Sequence, residues 1–341
     1  MNYSEGHLPI SSEGLATAIS RTDFSRHAVT VVGYGSMGRQ YVAALQALGV
    51  SLIRVCSRAR SQIEVFRGNS KIEEFPDGFE QLAISPKTRE LGIIATPVEL
   101  SIRAAERLVD LGFKRLLIEK PVALRASKIK KLAEKFHSKG IEAICAYNRV
   151  AYPSVIECAY RVDQDGGITS CTYNLTEMIK PDWLDRFAKQ ELKRWGIANS
   201  LHVVSMAHSL IGLPREWKGY RSGAISWHPS GSVFVGAGIA GDGIPFSYHA
   251  DWGSKGRWNL EVHTRKASYR FCPMEKLLRR ELALSEWQDV PVTSLEPQVK
   301  VGVLEQTAAM LDAEIGRHVP LLSLEDGIAL TVYGEKVFGY R

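Results

Sequence analysis

Gly33-Tyr34-Gly35-Ser36-Met37-Gly38 is a G-x-G-x-x-G, and the residues on either side of it decide the fold. It directly follows the short apolar run His27–Val32 (HAVTVV), which reads as a strand, and it opens Arg39–Leu48, which has helical spacing. Strand, glycine turn and helix in that order make a mononucleotide-type βα unit. Gly33 permits the tight turn, Gly35 lets a pyrophosphate approach the backbone amides, and Gly38 lets helix and strand pack closely. Tyr34, Ser36 and Met37 lie between them and share the site.

The same rhythm repeats along the chain. Val50–Cys56 (VSLIRVC), Leu91–Ala95 (LGIIA), Arg115–Ile118 (RLLI) and Glu142–Tyr147 (EAICAY) read as strands, with helices over Val98–Leu111 and Ala126–Ser138. Strands alternating with such helices form a doubly wound parallel sheet covered on both faces. Arg125, Lys128, Lys131 and Lys135 recur at helical spacing, opposite Ile129, Leu132, Ala133 and Phe136, and read as the solvated face of an amphipathic helix.

Near residue 150 the pattern changes. Ile168–Glu177, Ser232–Ala240, Ile244–Asp251 and Trp258–Phe271 read as successive strands of a mostly antiparallel sheet, with the helical stretch Pro181–Ile211 after the first. Two tail helices are expected at Val301–Ile315 and Leu324–Val337. The fold class is therefore α/β, a Rossmann domain joined to an α/β domain with a large open sheet. The expected division is a leader over 1–26 with a short helix, a dinucleotide-binding domain over 27–150, and a substrate-binding domain over 151–341. The C-terminal helices are free to pack back on the first domain.

Composition excludes several alternatives. The 341 residues are 45% hydrophobic and 23% charged, an ordinary globular balance. No apolar run approaches the ~20 residues of a membrane span, and the polar N-terminus lacks a signal-peptide pattern. The expected compartment is the cytoplasm. Five scattered cysteines without a C-x-x-C pair point to reduced thiols and to no metal site. The net charge of +6 is spread without a basic block among aromatics, so no nucleic-acid partner is expected; an anionic cofactor and substrate suit it.

The end of the second strand bears on the cofactor. Cys56-Ser57-Arg58-Ala59-Arg60 has no carboxylate for a ribose 2′-hydroxyl. Ser57 with Arg58 or Arg60 suits a 2′-phosphate, so NADP(H) is favoured over NAD(H); the other reading makes the arginines solvated loop residues. Three strand ends then line up at the ligand-binding edge of such a sheet: Ala95-Thr96-Pro97, Glu119-Lys120-Pro121 and Tyr147-Asn148-Arg149.

This series, followed by an antiparallel-sheet domain, resembles the Gfo/Idh/MocA oxidoreductases over nearly all of the chain after residue 27, and Glu119-Lys120-Pro121 is its most specific mark. The resemblance implies that Thr96, Pro97 and Glu119 lie along the cofactor, and that Lys120 lies near the nicotinamide and touches the substrate oxygen. The structural alternative is a lysine merely paired with Glu119. The family's second element reads Asp, three residues, His, with a further Asp; the matching stretch here is Ala198-Asn199-Ser200-Leu201-His202-Val203-Val204-Ser205. His202 holds the histidine position, where it would take the hydroxyl proton in oxidation or supply it in reduction, while Ala198 and Ser205 stand at the carboxylate positions. Asn199, Ser200 or His208 would then orient His202, or the chemistry leans on Lys120.

Asn148, Arg149, Asn199 and Arg257 complete the expected substrate contacts. Trp227-His228-Pro229 and Ser247–Trp258 interleave aromatics with His, Asp and Arg, which suits a sugar ring, a core, or a subunit contact. The resemblance implies a homodimer or homotetramer formed through the C-terminal sheet. The resemblance implies hydride transfer between a nicotinamide cofactor and a hydroxyl or ketone carbon of a sugar, nucleotide sugar or sugar acid, as in surface-polysaccharide synthesis. Reduction of a C=N or C=C bond and a non-catalytic cofactor-binding sensor or partner subunit are the rivals.

Overall fold

The computed structural model describes residues 8–340, except 59–62, 64–69, 181, 242, 282, 284 and 285. The short helix ahead of the glycine turn is α1 (Ser12–Arg21). The Ser11 hydroxyl caps it by accepting from the Gly14 amide, and Leu15 and Ile19, one turn apart, are buried. The Ser12 amide and hydroxyl both donate to the buried Glu157 carboxylate, which ties this helix to the chain beyond the first sheet.

The alternating rhythm becomes β1 (Ala28–Val32), α2 (Ser36–Ala47), β2 (Leu52–Cys56), β3 (Lys71–Phe75), β4 (Leu91–Ile94), α3 (Val98–Asp110), β5 (Arg115–Glu119), α4 (Ala126–Ser138) and β6 (Glu142–Ala146). These strands run parallel in the spatial order β6-β5-β4-β1-β2-β3. The order reverses between β1 and β4, which opens a crevice at their carboxyl ends. β1, β2, β4 and β5 are apolar runs buried on both faces, as a covered parallel sheet requires. The sequence KIEEF of β3 was not read as a strand. Three of its five residues are charged because it is the sheet edge, and Glu73 there pairs with Arg54 and Lys71. In α4, Ile129, Leu132, Ala133 and Phe136 are buried and Lys128, Lys131 and Lys135 exposed, as their spacing requires.

The second half builds α5 (Pro153–Gln164), β7 (Ser170–Asn174), α6 (Trp183–Arg186) and α7 (Lys189–Leu192). A π-helical turn, Gly196–Ser200, leads directly into α8 (Leu201–Ile211). There follow β8 (Pro214–Ser222), β9 (Val233–Ala240), β10 (Ile244–Asp251), β11 (Asn259–His263), β12 (Ala267–Phe271), β13 (Leu277–Glu281) and β14 (Gln288–Val290). The chain closes with α9 (Val303–Leu311), α10 (Ala313–Gly316), β15 (Leu322–Ser323) and α11 (Leu324–Val337). The second sheet has the order β14-β13-β12-β11-β7-β10-β9-β8 and is antiparallel apart from the β7–β10 pair.

Three expectations are corrected in detail. Trp258–Phe271 is not one strand but a hairpin, turned where the Thr264 hydroxyl accepts from the Lys266 and Ala267 amides. The tail helix Val301–Ile315 breaks at Asp312, which is extended (φ −125°, ψ 127°) and caps α10 through its carboxylate. β8, β13 and β14, which no apolar alternation announced, extend the sheet to its edges. The chain then returns to the first sheet: β15 pairs antiparallel with β6, α9 packs on α2 and α11 on α4.

Candidate functional site

At the end of β1, Gly33 turns at φ +98°, and a Cβ there would lie 2.5 Å from the Ala95 carbonyl oxygen. A Cβ on Gly38 would lie 1.9 Å from the Gly33 carbonyl oxygen. Gly35 has nothing within 4 Å of its missing Cβ and is the N-cap of α2, with no side chain capping the helix. Two glycines are thus filled in by backbone, and the one between them faces open space in front of a helix N-terminus. That cradle fits a pyrophosphate, which the orphan amides and the helix dipole attract.

A cavity of about 390 Å³ continues from the turn along Tyr34, Ser57, Arg58, Glu80, Thr96 and Pro97. The Thr96 hydroxyl is buried without a partner and has a donor and acceptor to offer. Tyr34 lies under the Arg39 guanidinium, 4.8 Å from its ring centre. The Ser57 amide donates to the Phe75 carbonyl at 3.0 Å, which fixes the wall where exposed Arg58 stands; Arg60 lies outside the described residues. Glu80 was not anticipated. It brings a carboxylate to the same wall from beyond β3, paired with Arg103 at 3.1 Å.

Lys120 follows β5, and its amine donates to the Ala198 carbonyl at 3.1 Å, at the π-helical turn. Glu119 turns the other way, accepting from the Tyr41 hydroxyl at 2.6 Å, which in turn accepts from Gln306 at 3.0 Å. The hydrogen bond of Lys120 thus runs to the second half of the chain and not to Glu119. Burial lowers the Lys120 amine to about 8; the Glu119 charge opposes this, and Lys300 and Arg149 add to it.

His202 is buried in the first turn of α8, with its ring 6.2 Å from that of Trp258. Burial, reinforced by Lys120, Arg149 and Lys300, holds its pKa well below the ordinary histidine value, so the ring is neutral. None of the three residues expected to orient it shows a hydrogen bond to it. Asn199 donates to Glu177, the Ser200 hydroxyl has no partner, and His208 engages the Gly212 carbonyl at 2.7 Å and Tyr173 at 3.3 Å. Arg149 lies 4.8 Å over the Trp258 ring. Arg149 Nε, His202 Nδ1 and Trp258 Nε1 are all buried without partners. Each such atom costs about 1–3 kcal/mol when left unbonded, and the three together have hydrogen-bonding capacity to offer a polar group.

The remaining candidates divide. Asn148 is buried with its amide donating to the Val301 carbonyl at 2.8 Å, which secures the segment before α9. Arg257 is exposed, and its neighbour Trp258, not its own guanidinium, joins the lysine group. Of the aromatic cluster, Trp227 and Trp252 stack at 5.7 Å, and His228 is held between the Gly231 carbonyl (2.9 Å) and the Tyr340 hydroxyl (2.8 Å). These rings take the core alternative.

Glu177 was missed. Three residues beyond the end of β7, it accepts from Asn199 and from Trp195 Nε1 at 3.3 Å. Burial raises it to about 7, against the Asn199 and Trp195 hydrogen bonds and the Arg149 and Lys120 charges. A carboxylate therefore does reach the Lys120 neighbourhood, but from a strand end and not from the helix of His202. A lone Glu beyond the strand SCTYN carried no pattern by which to find it.

Residues 27–147 match the oxidoreductase family with an NAD-binding Rossmann fold, GFO_IDH_MocA. No curated protein matches the chain in sequence. Among solved structures it is similar to UDP-N-acetylglucosamine 3-dehydrogenase from Acidithiobacillus ferrooxidans at 14% identity and a TM-score of 0.68, covering 92% of this chain and 97% of that one. Levoglucosan dehydrogenase in complex with NADH is 16% identical, with a TM-score of 0.69 and coverage of 92% and 96%. An oxidoreductase from Agrobacterium radiobacter in complex with NAD+, L-tartaric acid and magnesium is 13% identical, with a TM-score of 0.69 and coverage of 94% and 96%. At these identities the likeness is one of fold. Among the described residues no helix is long and apolar enough to cross a membrane.

Proposed function

We propose that this chain, whose residues 27–147 match the Gfo/Idh/MocA oxidoreductase family, interconverts a secondary hydroxyl and a ketone on a sugar, nucleotide sugar or sugar acid. One observation carries the reading: the Lys120 amine, lowered to about 8, stands in the field of Arg149 and His202, whose Nε and Nδ1 atoms are buried without a hydrogen-bond partner. When bound, the nicotinamide supplies the acceptor or donor of the hydride. Gly33, Tyr34, Gly35, Ser36, Met37 and Gly38 hold the pyrophosphate, with Thr96 and Pro97 along the dinucleotide. Residues 27–150 serve as the cofactor domain and 151–341 as the substrate domain.

In the oxidation direction the neutral Lys120 amine takes the hydroxyl proton while the substrate C–H bond breaks and C=O forms. In reduction the ammonium returns that proton. A group near 8 suits this exchange better than the strongly depressed His202. His202 instead offers a neutral ring nitrogen to orient the hydroxyl, and Arg149 polarises the oxygen. Asn199 acts through Glu177, holding a carboxylate that balances the surplus of positive charge.

The phosphate form of the cofactor is the finer part of the proposal. With Glu80 paired to Arg103, Arg58 remains on the wall to meet a 2′-phosphate. Two of the structural neighbours described above are complexes with NADH or NAD+, so this preference rests on the chain's own residues. The activity is tested by screening sugars and sugar acids with wild type and Lys120→Ala. Turnover lost with cofactor affinity nearly intact supports the assignment, and turnover that survives the substitution rejects it.

A further inference from the structure

A second concavity lies apart from the dinucleotide cavity. A cleft of about 1050 Å³ is lined by Arg125 from the entry to α4, Lys193 and Arg194 from the segment after α7, Arg221 from β8 and Lys336 from α11. Arg125, Lys193, Arg221 and Lys336 are exposed. Among the described residues one carboxylate, Glu335, lines it, and that group already accepts from Arg194 and from the Ala126 amide at 3.3 Å. Five cations from four stretches of chain thus face one engaged carboxylate, in a protein whose whole formal charge is +6. A concave wall of one sign focuses its field, and guanidinium groups bind phosphate oxygens in a two-pronged geometry.

The wall of this cleft is continuous with the segment that holds Lys120. Arg194 Nε donates to the Leu124 carbonyl at 2.7 Å, four residues beyond Lys120. Its guanidinium lies 4.6 Å over the Tyr340 ring, whose hydroxyl accepts from the Gly196 amide at 2.9 Å. Gly196 opens the π-helical turn whose Ala198 carbonyl receives the Lys120 amine, and His202 is the second residue of the helix that continues it. A Cβ on Gly196 would lie 2.1 Å from the Phe338 ring, so this turn sits tightly on the C-terminal segment that also lines the cleft.

We propose that the cleft bounded by Arg125, Lys193, Arg194, Arg221 and Lys336 binds a diphosphate-class anion, and that its occupancy reaches Lys120 through residues 193–199. Binding here is independent of the redox activity proposed above, whereas the coupling to Lys120 rests on it. Two sources share this chemistry: the diphosphate of the substrate itself, or a free diphosphate acting from a distance.

The test titrates inorganic pyrophosphate into the full chain already saturated with NADH, so that uptake by the glycine turn does not count. Wild type is compared with Arg221→Glu/Lys336→Glu, a pair outside the reactive group. The expected result is saturable binding to wild type, weakened at least about tenfold in the double variant and falling steeply with added salt. Equal affinity in both proteins, or binding in neither, overturns the site. If the reversed pair fails to fold, Arg221→Gln/Lys336→Gln serves instead and should lose part of the affinity.

Kinetics separate the two sources. Competition between pyrophosphate and a nucleotide sugar, with KM raised and kcat unchanged, assigns the cleft to the substrate's own diphosphate. A changed kcat on an uncharged sugar assigns it to a free ligand. Binding that leaves both constants unmoved overturns the coupling. A protein that turns over no substrate, yet binds pyrophosphate in the wild type alone, rejects the proposed activity and keeps the anion site.

Discussion

Lys120 and Glu177 draw their chemistry from the same burial acting on opposite charges, since desolvation favours the neutral form of each. With the amine at about 8 and the carboxyl at about 7, kcat/KM for oxidation should rise across this range and level off above it. Glu177→Gln should simplify that profile, leaving the limb that belongs to Lys120. A pH–rate profile identical in wild type and variant would remove Glu177 from the reactive field. Stability offers a separate reading. The folded-state value of Glu177 is raised above 4.5, so between 4.5 and about 7 the folded protein holds a proton that the unfolded chain has lost. Stability from this group is therefore full below 4.5 and lost as pH rises through 7. Denaturant titrations should show Glu177→Gln lacking that loss. Lys120 was legible because it sits in a motif at a strand end. Glu177 was not, because its partners Asn199 and Trp195 lie 22 and 18 residues away in sequence and only folding brings them together.

The glycine turn was the most legible element, since each glycine answers a separate steric demand. Gly35→Ala meets open space, so its melting temperature should stay near that of wild type while dinucleotide affinity falls sharply. Gly38→Ala places a methyl 1.9 Å from a backbone oxygen and should lower both stability and affinity. A calorimetric scan with a cofactor titration on each variant separates the two; equal destabilisation would mean that Gly35 is structural and not part of the cradle. The elements that escaped reading share a cause. β3 and β8 are sheet edges, where one side of the strand needs no apolar partner and charged residues are favoured. The π-helical turn Gly196–Ser200 escaped as well, because helical spacing cannot distinguish it from the α-helix that it enters.

At the scale of the whole molecule, the second sheet leaves a face bearing Tyr220 and Ile239, which are 80% and 36% exposed. Val235 and Ala237 share that face of β9, with Lys218 and Glu216 opposite Ala237 and Ile239. A patch of this kind suits the face-to-face pairing expected of the C-terminal sheet. Sedimentation should give a dimer or tetramer that Tyr220→Lys/Ile239→Glu dissociates; a monomeric wild type would reject the interface. The two-sheet plan was readable because periodicity changes from alternating βα units to strand succession near residue 150. The return of β15, α9 and α11 to the first sheet depends on long-range packing that periodicity does not record.

Fluorescence titration with NADPH and NADH tests most directly that residues 27–147 hold a nicotinamide dinucleotide. Saturable binding is predicted for both, tighter for NADPH, with Arg58→Ala losing far more affinity for NADPH than for NADH. Equal losses would take Arg58 away from the 2′-phosphate, and no binding of either dinucleotide would contradict the cofactor site itself.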